Sequence, residues 1–226
     1  MRFIAGIFLL TMAACSSSSD PYCADLFDGE SLLGWTIIGD AEYAIDDGVI
    51  VGHAVVQRPN SFLRTNEEYT DFDLSVDFSI DEAFNSGIQF RSAQASDTLR
   101  WDHQAGNGSQ FTMVAAPGRV YGYQAEIDPT ERAWTGEIYE EGARGWLETF
   151  NKDPLRRLIQ PGVWYTLRIR AVADSLSTWL DGQPVAELRD TLRTNGFIAL
   201  QVHSVGSPDD AGKTVRFKNI RLCEVR

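Results

Sequence analysis

The stretch from Phe72 to Ile80 constrains the fold of this chain more than any other. It runs FDLSVDFSI, with apolar Phe72, Leu74, Val76, Phe78 and Ile80 alternating with Asp73, Ser75, Asp77 and Ser79. A period of two sends successive side chains to opposite faces, which predicts a half-buried β-strand. Trp164 to Val172 alternates in the same way, and Gly196 to Val202 and Val215 to Leu222 add further strand-like runs. Asp181-Gly182 separates Ser177-Thr178-Trp179-Leu180 from Gln183-Pro184-Val185-Ala186, and Asp46-Asp47-Gly48 separates Tyr43 to Ile45 from Val49 to Val51. Asp-Gly tolerates the positive φ angles of a tight hairpin turn. Short strands, tight turns and scarce amphipathic helical stretches predict a single all-β domain, a sandwich or jelly roll. One helical turn is expected at Asn66-Glu67-Glu68-Tyr69 and another around Asp153 to Leu158. Ala93 to Pro117, rich in Gly, Asn, Ser and Gln, reads as a long loop or a ragged hairpin.

The N-terminus reads as an address. Met1-Arg2 is followed by an apolar run from Phe3 to Met12, interrupted only by Gly6 and Thr11, and then by Ala13-Ala14. That pattern predicts a signal peptide over residues 1–14. Met12-Ala13-Ala14-Cys15 reads as a lipobox with Cys15 as the lipidated residue, and residues 15–22 as a polar tether. The alternative is an ordinary secretory signal followed by a free cysteine. A spanning helix would need roughly 20 apolar residues, about twice the run present. The expected location is the cell envelope, lipid-anchored at the outer membrane or periplasmic face, with Ser16 after the cysteine favouring the outer membrane. Residues 23–226 remain for the domain. A formal charge of −12 with no basic patch excludes nucleic acid as a partner. In an oxidising compartment Cys23 and Cys223, near the two domain ends, are expected to pair, with two buried free thiols as the alternative.

Strand parity brings polar residues together. By alternation Gln89 and Arg91 share one face of their strand, Gln124, Glu126 and Asp128 share another, and Gln201 lies with His203. An ordinary solvent-facing sheet would account for any one strand. Gln, Arg, Glu, Asp and His in combination also suit a polyhydroxylated ligand, with Trp and Tyr as flat stacking surfaces. No GxSxG elbow, HExxH or phosphate-cradling glycine loop occurs. His53, His103 and His203 lack zinc-ligand spacing, and His53 and His103 read as structural.

The same residues resemble a known family, the 3-keto-disaccharide hydrolase domain. The resemblance rests on Leu26-Phe27-Asp28-Gly29 with Leu33-Gly34-Trp35, Tyr43 to Gly52, Asn85-Ser86-Gly87-Ile88-Gln89-Phe90-Arg91 and Gly122-Tyr123-Gln124-Ala125-Glu126-Ile127-Asp128. It continues through Trp134-Thr135-Gly136-Glu137-Ile138-Tyr139, Trp164, Trp179-Leu180-Asp181-Gly182, Gly196 to Ser204 and Phe217-Lys218-Asn219-Ile220-Arg221, and covers about residues 24–226. It implies a concanavalin-like β-sandwich (jelly roll) and cleavage of 3-keto-glycosides by β-elimination, with or without rehydration. A C3 ketone acidifies the C2 hydrogen, so a base can form an enolate that expels the C1 oxygen, and no paired-carboxylate glycosidase site is needed. Carried onto this sequence, it implies His203, Glu126 and Tyr139 as catalytic groups, His203 being base or acid. Gln89, Arg91, Gln124, Glu137, Trp146 and Gln201 would bind substrate, with Arg91 and Gln89 steadying the oxyanion. Glu126 and Asp128 would hold sugar hydroxyls or a divalent cation such as calcium, with Asp128 as the metal ligand. Alternatively, Glu126 and Asp128 pair with Arg132 or Arg144 in a strand-end turn. Ile138 to Leu147 is expected as a loop over the rim, with Trp146 as a lid. The implied partners are 3-keto-glucosides or other oligosaccharides, and an upstream sugar 3-dehydrogenase that supplies them. A non-catalytic carbohydrate-binding envelope lipoprotein and a purely structural envelope protein are the competing readings.

Overall fold

The computed structural model describes residues 22–104, 110–147 and 158–226. The signal segment, Cys15 and most of the turn expected at Asp153 to Leu158 lie outside the described residues, as does the side chain of His103. In chain order the strands are β1 (Cys23–Asp25), β2 (Trp35–Ile38), β3 (Glu42–Asp46), β4 (Val49–His53), β5 (Ser61–Thr65) and β6 (Phe72–Ile80). There follow β7 (Ser86–Gln94), β8 (Leu99–Gln104), β9 (Gln110–Ala115), β10 (Val120–Ile127), β11 (Ile138–Glu141) and β12 (Gly145–Trp146). The last are β13 (Tyr165–Val172), β14 (Ser175–Leu180), β15 (Gln183–Arg189), β16 (Phe197–Val202) and β17 (Thr214–Glu224).

One antiparallel sheet runs β15-β14-β13-β6-β17-β4-β3, with β1 also on β17, and a second runs β12-β11-β10-β7-β16-β5-β2. Their facing sides share one core. Phe72, Leu74, Val76, Phe78 and Ile80 of β6 meet Ile88 and Phe90 of β7, Tyr123 and Ala125 of β10 and Ile198 and Leu200 of β16. This is the all-β jelly-roll sandwich the alternation predicts, and β6 has the bounds read from the sequence. Asp47-Gly48 and Asp181-Gly182 turn their hairpins with both residues at positive φ (47° and 75°, 47° and 74°).

Cys23 lies directly opposite Cys223 in the β1–β17 register, and the two form a disulfide. Closing a loop of 200 residues is worth up to about 5 kcal/mol in the chain-entropy description. Ala93 to Pro117 contains the hairpin β8–β9. Asn66 to Tyr69 bends without forming the expected helical turn, because Tyr69 exchanges backbone hydrogen bonds with Gly196 and is held extended. Ile138 to Leu147 likewise forms the edge strands β11 and β12 where a rim loop was expected.

Candidate functional site

The outer face of the second sheet carries an unusual polar floor. Gln124 of β10 pairs in register with Gln89 of β7 on one side and Tyr139 of β11 on the other, and Glu126 pairs with Gly87. Gln201 of β16 sits one residue beyond the Leu200–Ile88 pair. Although these residues face away from the core, Gln89, Gln124, Glu126 and Gln201 are all buried.

A directional hydrogen-bond chain links them. Ser92 Oγ donates to Gln89 Oε1 at 2.7 Å, Gln89 Nε2 to Gln124 Oε1 at 2.5 Å and Gln124 Nε2 to Glu126 Oε2 at 2.8 Å. Asn85 Nδ2 donates to the other oxygen, Glu126 Oε1, at 2.6 Å. Gly87 makes this possible, since a Cβ there would lie 2.4–2.6 Å from the Gln124 side chain that crosses it. Every donor points toward Glu126, the arrangement an acceptor-only carboxylate imposes. Burial nevertheless pushes the Glu126 carboxyl up to about 7; Asn85 and Gln124 pull it down, Asp128 adds to the rise and Arg132 opposes it. The result is a titratable group near neutrality on a rigid floor.

The surroundings supply donors and aromatic surface. The amide of Gln201 is buried, and among the described residues neither its Nε2 nor its Oε1 has a hydrogen-bond partner. Burial raises the Tyr139 hydroxyl above its usual value, helped by Glu141 and Glu126, so it keeps its proton. Trp146 lies opposite Tyr139 in register with ring centroids 5.0 Å apart, and Trp134 packs on Trp146 at 4.7 Å. Trp146 therefore belongs to an aromatic edge built on paired strands, in place of the expected lid on a loop. Glu137 is buried and its carbonyl accepts from Glu126 N. His203, half-buried beyond the end of β16, has Nδ1 2.6 Å from the Ser204 carbonyl, an acceptor to which Nδ1–H donates.

Arg91 departs from the expected face. It sits at φ 45°, in a bulge where the register slips between Tyr121 and Tyr123 of β10. The extra residue reverses its direction. Its guanidinium donates to the carbonyls of Thr70, Ala173 and Arg193 and to Asp71 Oδ1 at 2.9 Å. Arg91 is thus a fully engaged staple between the two sheets, and it steadies no oxyanion on the polar floor. Two glycines admit the bulge, Gly122 within β10 and Gly196 directly before β16. A Cβ on Gly122 (φ 142°) would lie 2.3 Å from Ser92 Oγ, and one on Gly196 (φ 151°) 2.4 Å from the Ser92 carbonyl.

Asp128 takes the alternative arrangement, paired with Arg132 in a strand-end turn. Its Oδ2 lies 2.9 Å from Arg132 Nε and its Oδ1 accepts from Thr130 N, so it belongs to the turn after β10. Arg144 pairs instead with Glu140 and Asp190. Among the described residues no three His, Cys, Asp or Glu side chains converge as a metal-ligating group. Ser92, which starts the chain of donors, and Asn85, which donates to the other Glu126 oxygen, are site residues that strand parity does not single out. Asn85 directly before the Ser86-Gly87 strand start was the available signal, but only the β7–β10 register brings it to Glu126.

Residues 23–223 match the family described as the 3-keto-alpha-glucoside-1,2-lyase-like domain. No curated protein matches by sequence. Among solved structures, the carbohydrate-binding module CBM66 of Bacillus subtilis is similar at 18% identity and TM-score 0.55, over 85% of this chain and 96% of that one. A Bacillus subtilis protein of unknown function with a galectin-like fold aligns at 13% identity and TM-score 0.62, over 90% and 95%. A Parabacteroides distasonis protein with a provisional glycosyl hydrolase name aligns at 18% and TM-score 0.57, over 90% and 94%. At these identities the likeness shows the fold alone.

Proposed function

This chain belongs to the 3-keto-alpha-glucoside-1,2-lyase-like domain family, a carbohydrate-related family, and from that premise we propose that it cleaves 3-keto-glycosides on the polar floor of the second sheet. The observation that carries this reading is Glu126, a buried carboxyl raised to about 7 among converging hydrogen-bond donors. A general base works best with a pKa near the working pH.

Glu126 removes the C2 hydrogen as a proton, and the electrons pass to the C3 oxygen as an enolate. Gln201 Nε2 is the donor for that oxygen, since its amide has no hydrogen-bond partner among the described residues. The enolate then collapses, re-forming the C3 carbonyl, making the C1–C2 double bond and breaking the bond from C1 to the leaving oxygen. Tyr139 gives its proton to that oxygen and recovers one from Glu126. The lyase outcome stops at this enone. In the hydrolase outcome His203 Nε2 takes a proton from the water whose oxygen bonds to C1, and the double-bond electrons pass to the C3 oxygen as an enolate. The proton passes by way of Glu126 to C2 as the C3 carbonyl re-forms. Trp146 and Trp134 supply the stacking surface beside Tyr139. A sugar 3-dehydrogenase must supply the ketone. Residues 1–15 support an envelope-anchored lipoprotein acting on extracytoplasmic sugars.

The test uses a 3-keto-glucoside with a chromogenic aglycone beside its unoxidised parent. Only the ketone should be cleaved, and in D2O a hydrated product should carry deuterium at C2 while the enone carries none there. Glu126→Gln should lose about 10²–10⁴-fold in kcat/KM, the usual worth of a positioned base. Equal cleavage of the parent glucoside, or full activity in Glu126→Gln, would overturn the mechanism. A second reading, a binding protein without catalysis, is favoured by the amides of Gln89 and Gln124, which are engaged with each other and with Glu126 as in a fixed binding floor. Saturable binding of the ketone with no release of aglycone would establish it.

A further inference from the structure

A cleft of about 720 Å³ lies between the hairpin β8–β9 and the segment after β15. It is distinct from the polar floor. Tyr121, which lines it, shares strand parity with core-facing Tyr123, whereas Gln124 and Glu126 point through the other side of β10. We propose that this cleft is a second binding site, for a neutral saccharide unit, and the inference stands whether or not the floor is catalytic.

Two kinds of surface argue for that ligand. The first is unfilled hydrogen bonding. Trp101 Nε1 and Arg144 Nη2 both belong to lining residues, and both are buried donors with no hydrogen-bond partner among the described residues. Buried donors are almost always paired in folded proteins, so two in one cleft point to an acceptor that arrives from outside. The second is flat apolar surface. The Trp101 and Tyr121 rings stand 5.8 Å apart at 46°, and the Arg193 guanidinium lies 4.6 Å from the Tyr121 centroid. Hydroxyl oxygens for the donors and a C–H face for the rings are what a pyranose offers.

Charge decides against an anion. Arg144 is ion-paired with Glu140 and Asp190, Arg193 with Glu140, and Arg189 with Asp174. Among the lining cations, Arg100 is the one without an ion pair among the described residues, and Asp102 lies beside it in the chain. Asp102 Oδ1 already accepts from Thr112. The cleft is therefore close to neutral, with carboxylate oxygens still available to sugar hydroxyls.

The experiment is a titration of the full protein, labelled with 15N-tryptophan, with unoxidised trehalose, which carries no ketone to react. The six tryptophans give separate indole signals, and Trp101→Phe identifies that of Trp101. The expected result is a saturable downfield shift of the Trp101 signal. It should persist in Glu126→Gln, and by calorimetry Trp101→Phe should bind about tenfold more weakly, as loss of one hydrogen bond implies. The other five indole signals report whether Trp101→Phe keeps its fold. If trehalose moves other indoles and leaves Trp101 still, this inference falls while the carbohydrate reading of the floor survives. If inorganic sulfate moves the Trp101 signal as well as trehalose does, the cleft is an anion site and the inference is wrong. No movement at all also overturns it.

Discussion

Replacing Glu126 by glutamine should make the protein more stable at high pH, relative to the native chain, and not at low pH. The native carboxyl is 5% exposed and titrates at about 7 in the fold against 4.5 when unfolded. Between those values the folded state holds a proton that the unfolded state has lost, so native stability falls as pH rises from about 4.5 through 7. At 1.36 kcal/mol per pH unit, the total loss is about 3 kcal/mol. Glutamine has no such proton. It does lose an acceptor, since one of Asn85 Nδ2 and Gln124 Nε2 then faces its amide nitrogen, but that penalty is the same at every pH. The quantity to measure is therefore the change in the stability gap between Glu126→Gln and native protein, by urea unfolding at pH 4 and pH 8.5. It should move by about 3 kcal/mol in favour of glutamine, or about 6 to 12 °C in Tm for a domain of this size. Other carboxylates cancel in the comparison. A gap that stays constant across that range would show that Glu126 titrates like an exposed glutamate, and the argument for a base tuned by burial would fail with it.

Other perturbations probe the frame of the site. Arg91→Ala should cost about 3 to 5 kcal/mol in urea unfolding, because its fully buried guanidinium holds three carbonyls and Asp71. Arg91→Lys should not restore that loss, since a single ammonium lacks the planar fork. Gly122→Ala should cost about 2 kcal/mol or more through its contact with Ser92 and its positive φ, while Gly118→Ala, with open space around its Cβ, should cost about 1 kcal/mol; equal Tm losses in the two would refute the bulge argument. Reducing Cys23–Cys223 should lower stability by about 2 to 5 kcal/mol, read as a fall in Tm with reductant that the double serine variant no longer shows.

Much of the architecture was legible in the sequence because it is governed by local rules. The alternation of β6, the two Asp-Gly hairpins and the ordered family motifs each follow from neighbours a few residues apart, and they specified a jelly-roll sandwich with Gln89, Gln124 and Glu126 on adjacent strands. Parity failed at Arg91 because one bulge residue reverses every inference drawn from counting by two. That bulge depends on Gly122 and Gly196, which lie 31 and 105 residues further along the chain. The Asn66 to Tyr69 segment failed for a similar reason, since Gly196 recruits Tyr69 into a bridge that local helix propensity cannot foresee.

The sequence by itself determined the alternating strands such as β6, the two Asp-Gly turns and the supply of polar side chains for the floor. Only the tertiary structure decided that those outward-facing side chains are buried, that their donors converge on Glu126 and that Arg91 and Asp128 serve the frame. Burial and hydrogen-bond direction are properties of the assembled register, and they are what raise the Glu126 carboxyl toward neutrality.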